Sequence, residues 1–169
     1  MKPAILQGYF PGVVGQITEA HALYYHAQWG FDVSFEAQVA RETAEFVAGF
    51  DPARDGLWAA RQEGRLAGAI AIDGRRAETA GARLRWFIVA PEFQGAGVGT
   101  RLIHLAVGFC RDRGYPNVYL WTFEGLNAAR RLYESNGFSL CEEHAVAQWG
   151  QLIREQKFEM NLRPGKERQ

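Results

Sequence analysis

A cluster of glycines at a strand-to-helix transition constrains this chain more than any other stretch of it. Residues 84–89, Leu-Arg-Trp-Phe-Ile-Val, are bulky and β-prone and read as a strand. Pro91 ends that strand, because proline has no N–H to give to a ladder. Gln94-Gly95-Ala96-Gly97-Val98-Gly99 follow, and Val98, Leu102, Leu105, Ala106 and Phe109 then recur at helical spacing. The first N–H groups of a helix lack internal partners, and the helix dipole adds partial positive charge there. Glycine lets the main chain approach a ligand with no Cβ in the way. Such a turn is an anion site, and phosphate is its usual occupant.

The spacing separates the classes of phosphate turn. A Walker loop requires Gly-Lys-Ser/Thr, whereas Gly99 is followed by Thr100 and Arg101. A Rossmann fingerprint requires a third glycine three residues beyond Gly97, where Thr100 stands. The pattern present is Gln-x-x-Gly-x-Gly behind a strand ending Val-x-Pro. It resembles the pyrophosphate-binding motif of the GNAT superfamily of N-acetyltransferases. Arg131-Leu132-Tyr133-Glu134-Ser135-Asn136-Gly137-Phe138 resembles that family's second signature, a helix ending Leu-Tyr-x-x-x-Gly-Phe.

Composition narrows the alternatives. The 169 residues are expected to form one domain over 1–169, with 163–169 as a frayed polar tail. Hydrophobic residues make up 47%, which suits a globular chain. Lys+Arg and Asp+Glu are both 19, so the basic excess of a nucleic-acid binder is missing. No run of 18 apolar residues suggests a membrane span, and no long apolar signal region opens the chain. Cys110 and Cys141 lack metal-ligand spacing, so no metal site is expected; the pair suits a reducing cytoplasm.

Periodicity and breakers predict the element order. A short strand at most lies within 1–12. A helix runs over about 13–28, carrying His21, Tyr24, Tyr25 and His26, with Trp29 next to it. A second helix is capped by Asp32 or Ser34 and sets Phe35, Val39, Thr43, Phe46 and Phe50 on one face. Strands follow at 57–61, 66–72 and 82–89, then the central helix over about 97–113. A strand at 118–123, a helix at 126–136, and strands from 138 to about 146 and over 153–162 complete the chain. That order is the GNAT order, and the resemblance covers nearly the whole chain. It implies an α/β fold with a mixed, mostly antiparallel, splayed sheet and helices on both faces.

The resemblance also implies a chemistry. The cofactor would be acetyl-coenzyme A, with its pantetheine arm on the backbone of Phe87, Ile88 and Val89. Its pyrophosphate would lie on Gln94, Gly95, Ala96, Gly97, Val98, Gly99 and Thr100. The Val89 N–H would polarise the thioester carbonyl and Tyr133 would protonate the departing sulfur. A phenol has a pKa of about 10 and stays protonated at neutral pH; packing is the rival role for Tyr133. Many members carry Asn where this chain has Leu126. Asn127 and Arg130 are the candidates for further cofactor contacts, with helix capping and solvated charge as rivals. Tyr25, His26, Trp29, Glu36, Trp121 and Glu124 are candidates for the acceptor site, although the aromatics equally suit a core. No base stands out: the polar residues of the strand are Arg83 and Arg85, and arginine does not accept a proton at neutral pH. The function implied is N-acetyl transfer to a primary amine of a small molecule or peptide by direct attack. A non-catalytic acyl-coenzyme A-binding sensor or interaction module is the alternative. The aromatic first helix, Phe35-Glu36-Ala37 and Trp121-Thr122-Phe123 resemble a GNAT subgroup often fused behind winged-helix regulators of the antibiotic-resistance type. A homodimer is compatible with this reading; a nucleic-acid or membrane partner is not.

Overall fold

The computed structural model describes residues 2–163, so most of the expected tail lies outside the described residues. Seven strands and four helices alternate as β1 (Ala4–Gln7), α1 (Val13–Trp29), α2 (Val33–Ala48), β2 (Gly56–Gln62), β3 (Arg65–Asp73) and β4 (Ala82–Val89). After one 3-10 turn at Pro91–Phe93 come α3 (Val98–Asp112), β5 (Asn117–Phe123), α4 (Asn127–Ser135), β6 (Ser139–Gln148) and β7 (Gln151–Asn161). The local reasons are visible at the ends. The Ser34 N–H donates to Asp32 Oδ1 at 3.0 Å, so Asp32 is the cap of α2. Gly30 closes α1 at φ 70°, and Gly114 follows α3 at φ 69°, both left-handed.

The strands form one sheet in the order β1-β2-β3-β4-β5-β7-β6. Every neighbouring pair is antiparallel except β4 with β5. That parallel contact consists of Ala82↔Val118 and Arg83↔Tyr119, after which the two strands part.

Alternation assigns the faces. Fully buried Leu102, Ile103 and Ala106 of α3 pack on Ile70, Ile72 and Leu120. On the opposite face, Val13 and Ile17 of α1 pack on Leu57, Ala69 and Ala71. A third cluster joins Phe31, Phe35 and Val39 to Phe123 and Ile153. Strand β4 breaks the alternation once. Between Ala69 and Ala71 the register slips, so Trp86 and Phe87 together oppose Ile70, and Trp86 takes φ 50°. This is a β-bulge, which bends a strand and re-aims its side chains. Arg85 and Trp86 both turn toward α2, where Arg85 meets Glu42 and Trp86 meets Phe46. Phe87 and Val89 turn toward α3 and α4.

The segment between β3 and β4 is anchored by one carboxylate. Asp55, 2% exposed, accepts from the Gly74 N–H at 2.8 Å and the Asp51 N–H at 3.1 Å. Truncation would leave both donors unsatisfied and Arg54 without its partner. Asp55→Ala is expected to lower unfolding free energy by about 3 kcal/mol in denaturant titration, against a few tenths for an exposed residue such as Glu78→Ala.

Candidate active site

Where β4 and β5 part, a cleft of about 1060 Å³ opens between the two halves of the sheet. It runs from the glycine turn, past α4, to the wall made by α1 and α2.

The turn end is built by backbone. Gly95 and Gly97 have φ 81° and 80°, and a Cβ at either would meet nothing within 4 Å. Conformation, not crowding, requires glycine at both. Gly99 is the converse. Its φ is helical, but a Cβ would lie 3.1 Å from Leu132 Cδ1 and 3.4 Å from Phe87 and Val89 atoms, so it lets α4 and β4 close on α3. The first intrahelical bond of α3 runs from Arg101 N–H to Gly97 O, at 3.1 Å. Gly97 offers no side-chain cap. The Val98, Gly99 and Thr100 N–H groups therefore lack intrahelical acceptors. Gln94 folds back on the strand: its Nε2 donates to Val89 O at 3.2 Å and closes the turn on β4.

The strand end is an open edge. Ala90 N–H donates to Ala67 O at 2.9 Å across β3, so by antiparallel alternation Ile88 also faces β3. Phe87 and Val89 direct their main-chain groups the other way, into the gap that β5 has left. Of the three residues expected to offer backbone groups there, Ile88 does not, and its side chain is core at 6% exposure.

Tyr133 is the buried residue of α4 and also lines the cleft. Phe87, Phe138 and Phe158 surround it with ring centroids 5.8, 5.9 and 6.1 Å away. The packing role and the cleft role thus belong to one residue. Burial pushes its phenol well above the ordinary range, with the Tyr25 phenol adding to the effect.

At the far wall, Tyr25 stacks on Phe31 at 5.8 Å and Trp29 meets Phe123 edge-on at 5.0 Å. Tyr25, Trp29 and Trp121 all line the cleft, as do Gln94, Gly95, Gly97, Val98, Gly99, Thr100 and Asn127. Five expected residues do not: Ala96, Arg130, His26, Glu36 and Glu124. His26 is exposed, and its Nδ1 lies 2.9 Å from Phe31 O, at the end of α1. Glu36 and Glu124 face solvent. Arg130 pairs with Glu134 one turn along α4, at 2.5 Å. Asn127 is the first helical residue rather than the cap, which is Leu126.

Two carboxylates that line the cleft were not among the expected residues. Glu42 Oε2 lies 2.9 Å from Arg85 Nη2, and Glu155 Oε2 lies 3.0 Å from His144 Nε2. Glu42 stands seven residues after Phe35 and three after Val39, a spacing that places it beside the buried stripe of α2. Glu155 requires the register, which sets it opposite Phe123. His21 also lines the cleft, with Nδ1 2.8 Å from Ile17 O. Among the described residues no group of three or more His, Cys, Asp or Glu is placed to hold a metal ion. No helix there is long and apolar enough to cross a membrane.

The family model described as "Acetyltransferase (GNAT) family" matches residues 17–138. An uncharacterized N-acetyltransferase of Methanocaldococcus jannaschii is 28% identical over 138 residues, covering 78% of this chain and 59% of that protein. A mycothiol acetyltransferase of Thermomonospora curvata is 37% identical over 91 residues, covering 53% of this chain and 29% of that protein. The match thus spans about three fifths of the first relative's length and less of the second's. Among solved structures, a GNAT-family acetyltransferase of Staphylococcus aureus superposes with a TM-score of 0.75 at 15% identity, over 95% of this chain and 100% of the other. A Salmonella typhimurium protein solved with its cofactor acetyl-CoA superposes with a TM-score of 0.70 at 17% identity, over 100% and 99%. These two likenesses establish the fold.

Burial of His21 has a measurable consequence. It lowers the imidazole pKa from 6.5 to about 4, against a smaller opposing effect of the Ile17 carbonyl. Between those values the unfolded chain binds a proton that the folded chain does not. Stability is therefore complete above pH 6.5 and lost as pH falls toward 4, by about 3 kcal/mol in all. Denaturant titrations at pH 7 and pH 4.5 should show that loss, and His21→Gln should remove most of the difference.

Proposed function

The chain belongs to the GNAT acetyltransferase family, and on that premise we propose that it moves an acetyl group from acetyl-coenzyme A onto a primary amine by direct attack. One observation carries the reading. The glycine turn, the open edge of β4 and the buried Tyr133 all border a single cleft, at the point where β4 and β5 part.

The residues present fit the cofactor. Gly95 and Gly97 leave open space where a side chain would stand, and the N–H groups of Val98, Gly99 and Thr100 are free to bond a pyrophosphate. The outward groups of Phe87 and Val89 suit a pantetheine arm lying along β4 as an added strand. Asn127 borders the same stretch. Acetyl-coenzyme A supplies the acetyl thioester.

The rest is the work of this chain. The outward N–H of Val89 is a preset donor for a carbonyl oxygen, with that of Phe87 beside it on the same edge. Such a donor gains strength where water is excluded. Tyr133 holds its proton at Oη and releases it to sulfur as the thiolate forms. Burial raises the phenol, and it penalises a thiolate in the same cage for the same reason, so acid and leaving group shift together. Tyr25, Trp29 and Trp121 form the acceptor's walls. Of the two lining carboxylates, Glu42 is tied to a buried arginine. Glu155 is bonded to a half-exposed histidine and gives the amine proton a route to solvent.

Release of free thiol from acetyl-coenzyme A, measured across a panel of amines, tests the transfer. Gly97→Asp places a side chain and a negative charge in the turn, and calorimetry should show cofactor affinity lost in a folded protein. Tyr133→Phe keeps the ring and its packing. Turnover should fall by about 10²–10⁴-fold, with a much smaller change in cofactor affinity, because the lost interaction belongs to the transition state. Tight cofactor binding with no turnover on any amine would overturn transfer in favour of an acyl-coenzyme A-binding module.

A further inference from the structure

The cleft changes character at its α2 end, where its walls turn from aromatic to basic. A second cavity of about 480 Å³ adjoins it there, and Arg83 and Arg85 line both. Arg75, Arg76, Arg83 and Arg85 surround this cavity together with Tyr119, and Asp73 is the one carboxylate in its lining.

Asp73 is already engaged. Arg75 Nη2 reaches it at 2.7 Å and Arg85 Nη1 at 3.4 Å, and Glu42 also binds Arg85. Glu45 and Asp55 act on Arg75 from a distance. Arg76 and Arg83 form no ion pair among the described residues, and Arg83 Nε is buried with no hydrogen-bond partner. A buried donor without a partner costs about 1–3 kcal/mol. Burial, then the charge of Arg83, holds the Arg85 guanidinium below its usual range, against the opposing effect of Glu42 and Asp73.

The main chain beside the cavity is anchored. Asp55 fixes Gly74, and the N–H groups of Ala80 and Gly81 donate to Arg76 O at 2.9 and 3.0 Å. A Cβ on Gly81 would lie 2.5 Å from Asn117 Nδ2, so the loop closes tightly on β5. Guanidinium forks carried on such a backbone suit carboxylate and phosphate oxygens.

We propose that this cavity binds an oxyanion, a carboxylate or phosphate, carried by the acceptor, and that the preferred acceptor is an amine with such a group at its far end. The identity of the ligand as acceptor rests on the transferase reading above; the anion site itself does not. Arg83 and Val89 are six residues apart on β4, roughly 20 Å at strand rise, so an anion here is distinct from the cofactor's pyrophosphate. From Val89 to Arg83 the same span, less the reach of the arginine side chain, suits a linear amino acid longer than an α-amino acid.

Two measurements test this. First, the arginine Nε–Hε resonances are followed by NMR in protein saturated with acetyl-coenzyme A, during titration with inorganic phosphate and with 6-aminohexanoate. The Arg83 resonance, assigned by its loss in Arg83→Gln, should shift saturably with at least one of them. Second, kcat/KM is compared for 6-aminohexanoate against its amide, and for 6-aminohexyl phosphate against 6-aminohexanol. The anionic member of at least one pair should be preferred tenfold or more, and the two pairs distinguish carboxylate from phosphate. Arg83→Gln and, independently, the exposed Arg76→Ala should each cut that preference by about 10-fold or more. An Arg83 resonance unmoved by both anions, or a preference that is absent or survives both substitutions, overturns the proposal. If no amine is acetylated, the transferase reading fails and the resonance titration alone decides the anion site.

Discussion

The fold depends on a separation. Parallel strands β4 and β5 bond through two residue pairs and then diverge, which leaves a stretch of main chain in the middle of a sheet without a partner on one side. Unpaired N–H and C=O groups in a protein interior are costly unless something satisfies them. Here β4 carries a bulge at Trp86 beyond its last pair with β5, and Gln94 takes up the carbonyl of Val89. The groups that remain border an open cleft. The glycine turn, the tyrosine helix and the aromatic wall are all arranged around that gap.

Much of this was legible from residue order. Helix and strand periodicity placed the elements within a few residues, most clearly where an apolar stripe is bounded by a cap, glycine or proline, as in α2 and α3. The glycine turn and the Leu-Tyr-x-x-x-Gly-Phe segment marked two sides of the cleft. What could not be read were features set by register. Arg-Trp-Phe-Ile-Val is β-prone throughout, so nothing in it announces that alternation fails at Trp86. Without that slip Arg85 cannot be placed beside Glu42, nor Ile88 toward β3. His26 looked like a polar group on an aromatic helix, yet it is engaged with the chain just past its own C-terminus. Glu155 became visible only once β5 and β7 were aligned.

Some charges in the cleft are held in pairs, Arg85 with Glu42 and Glu155 with His144, whereas Arg83 forms none among the described residues. Arg85 bridges Glu42 and Asp73, and its guanidinium lies 4.1 Å from the Trp86 ring centroid. A buried cation with partners on three sides is a fixed dipolar support. Removing any one of them would expose the rest to an uncompensated charge. The basic end of the cleft therefore combines Arg85, engaged on three sides, with Arg83, whose Nε has no hydrogen-bond partner. The aromatic wall contributes little polarity and much shape.

The bulge also makes β4 a ruler with two scales. Before Trp86 its outward residues serve the α2 side; after it they serve the α3 and α4 side. One inserted or deleted residue within β4 would exchange the two sets beyond it, turning arginines into the core or apolar side chains out of it. The connection from Gly74 to Gly81 is free of that parity rule. Over generations of sequence drift, the loop can vary in length while β4 must keep its count, so this end of the cleft is more readily reshaped through the loop than through the strand it leads into.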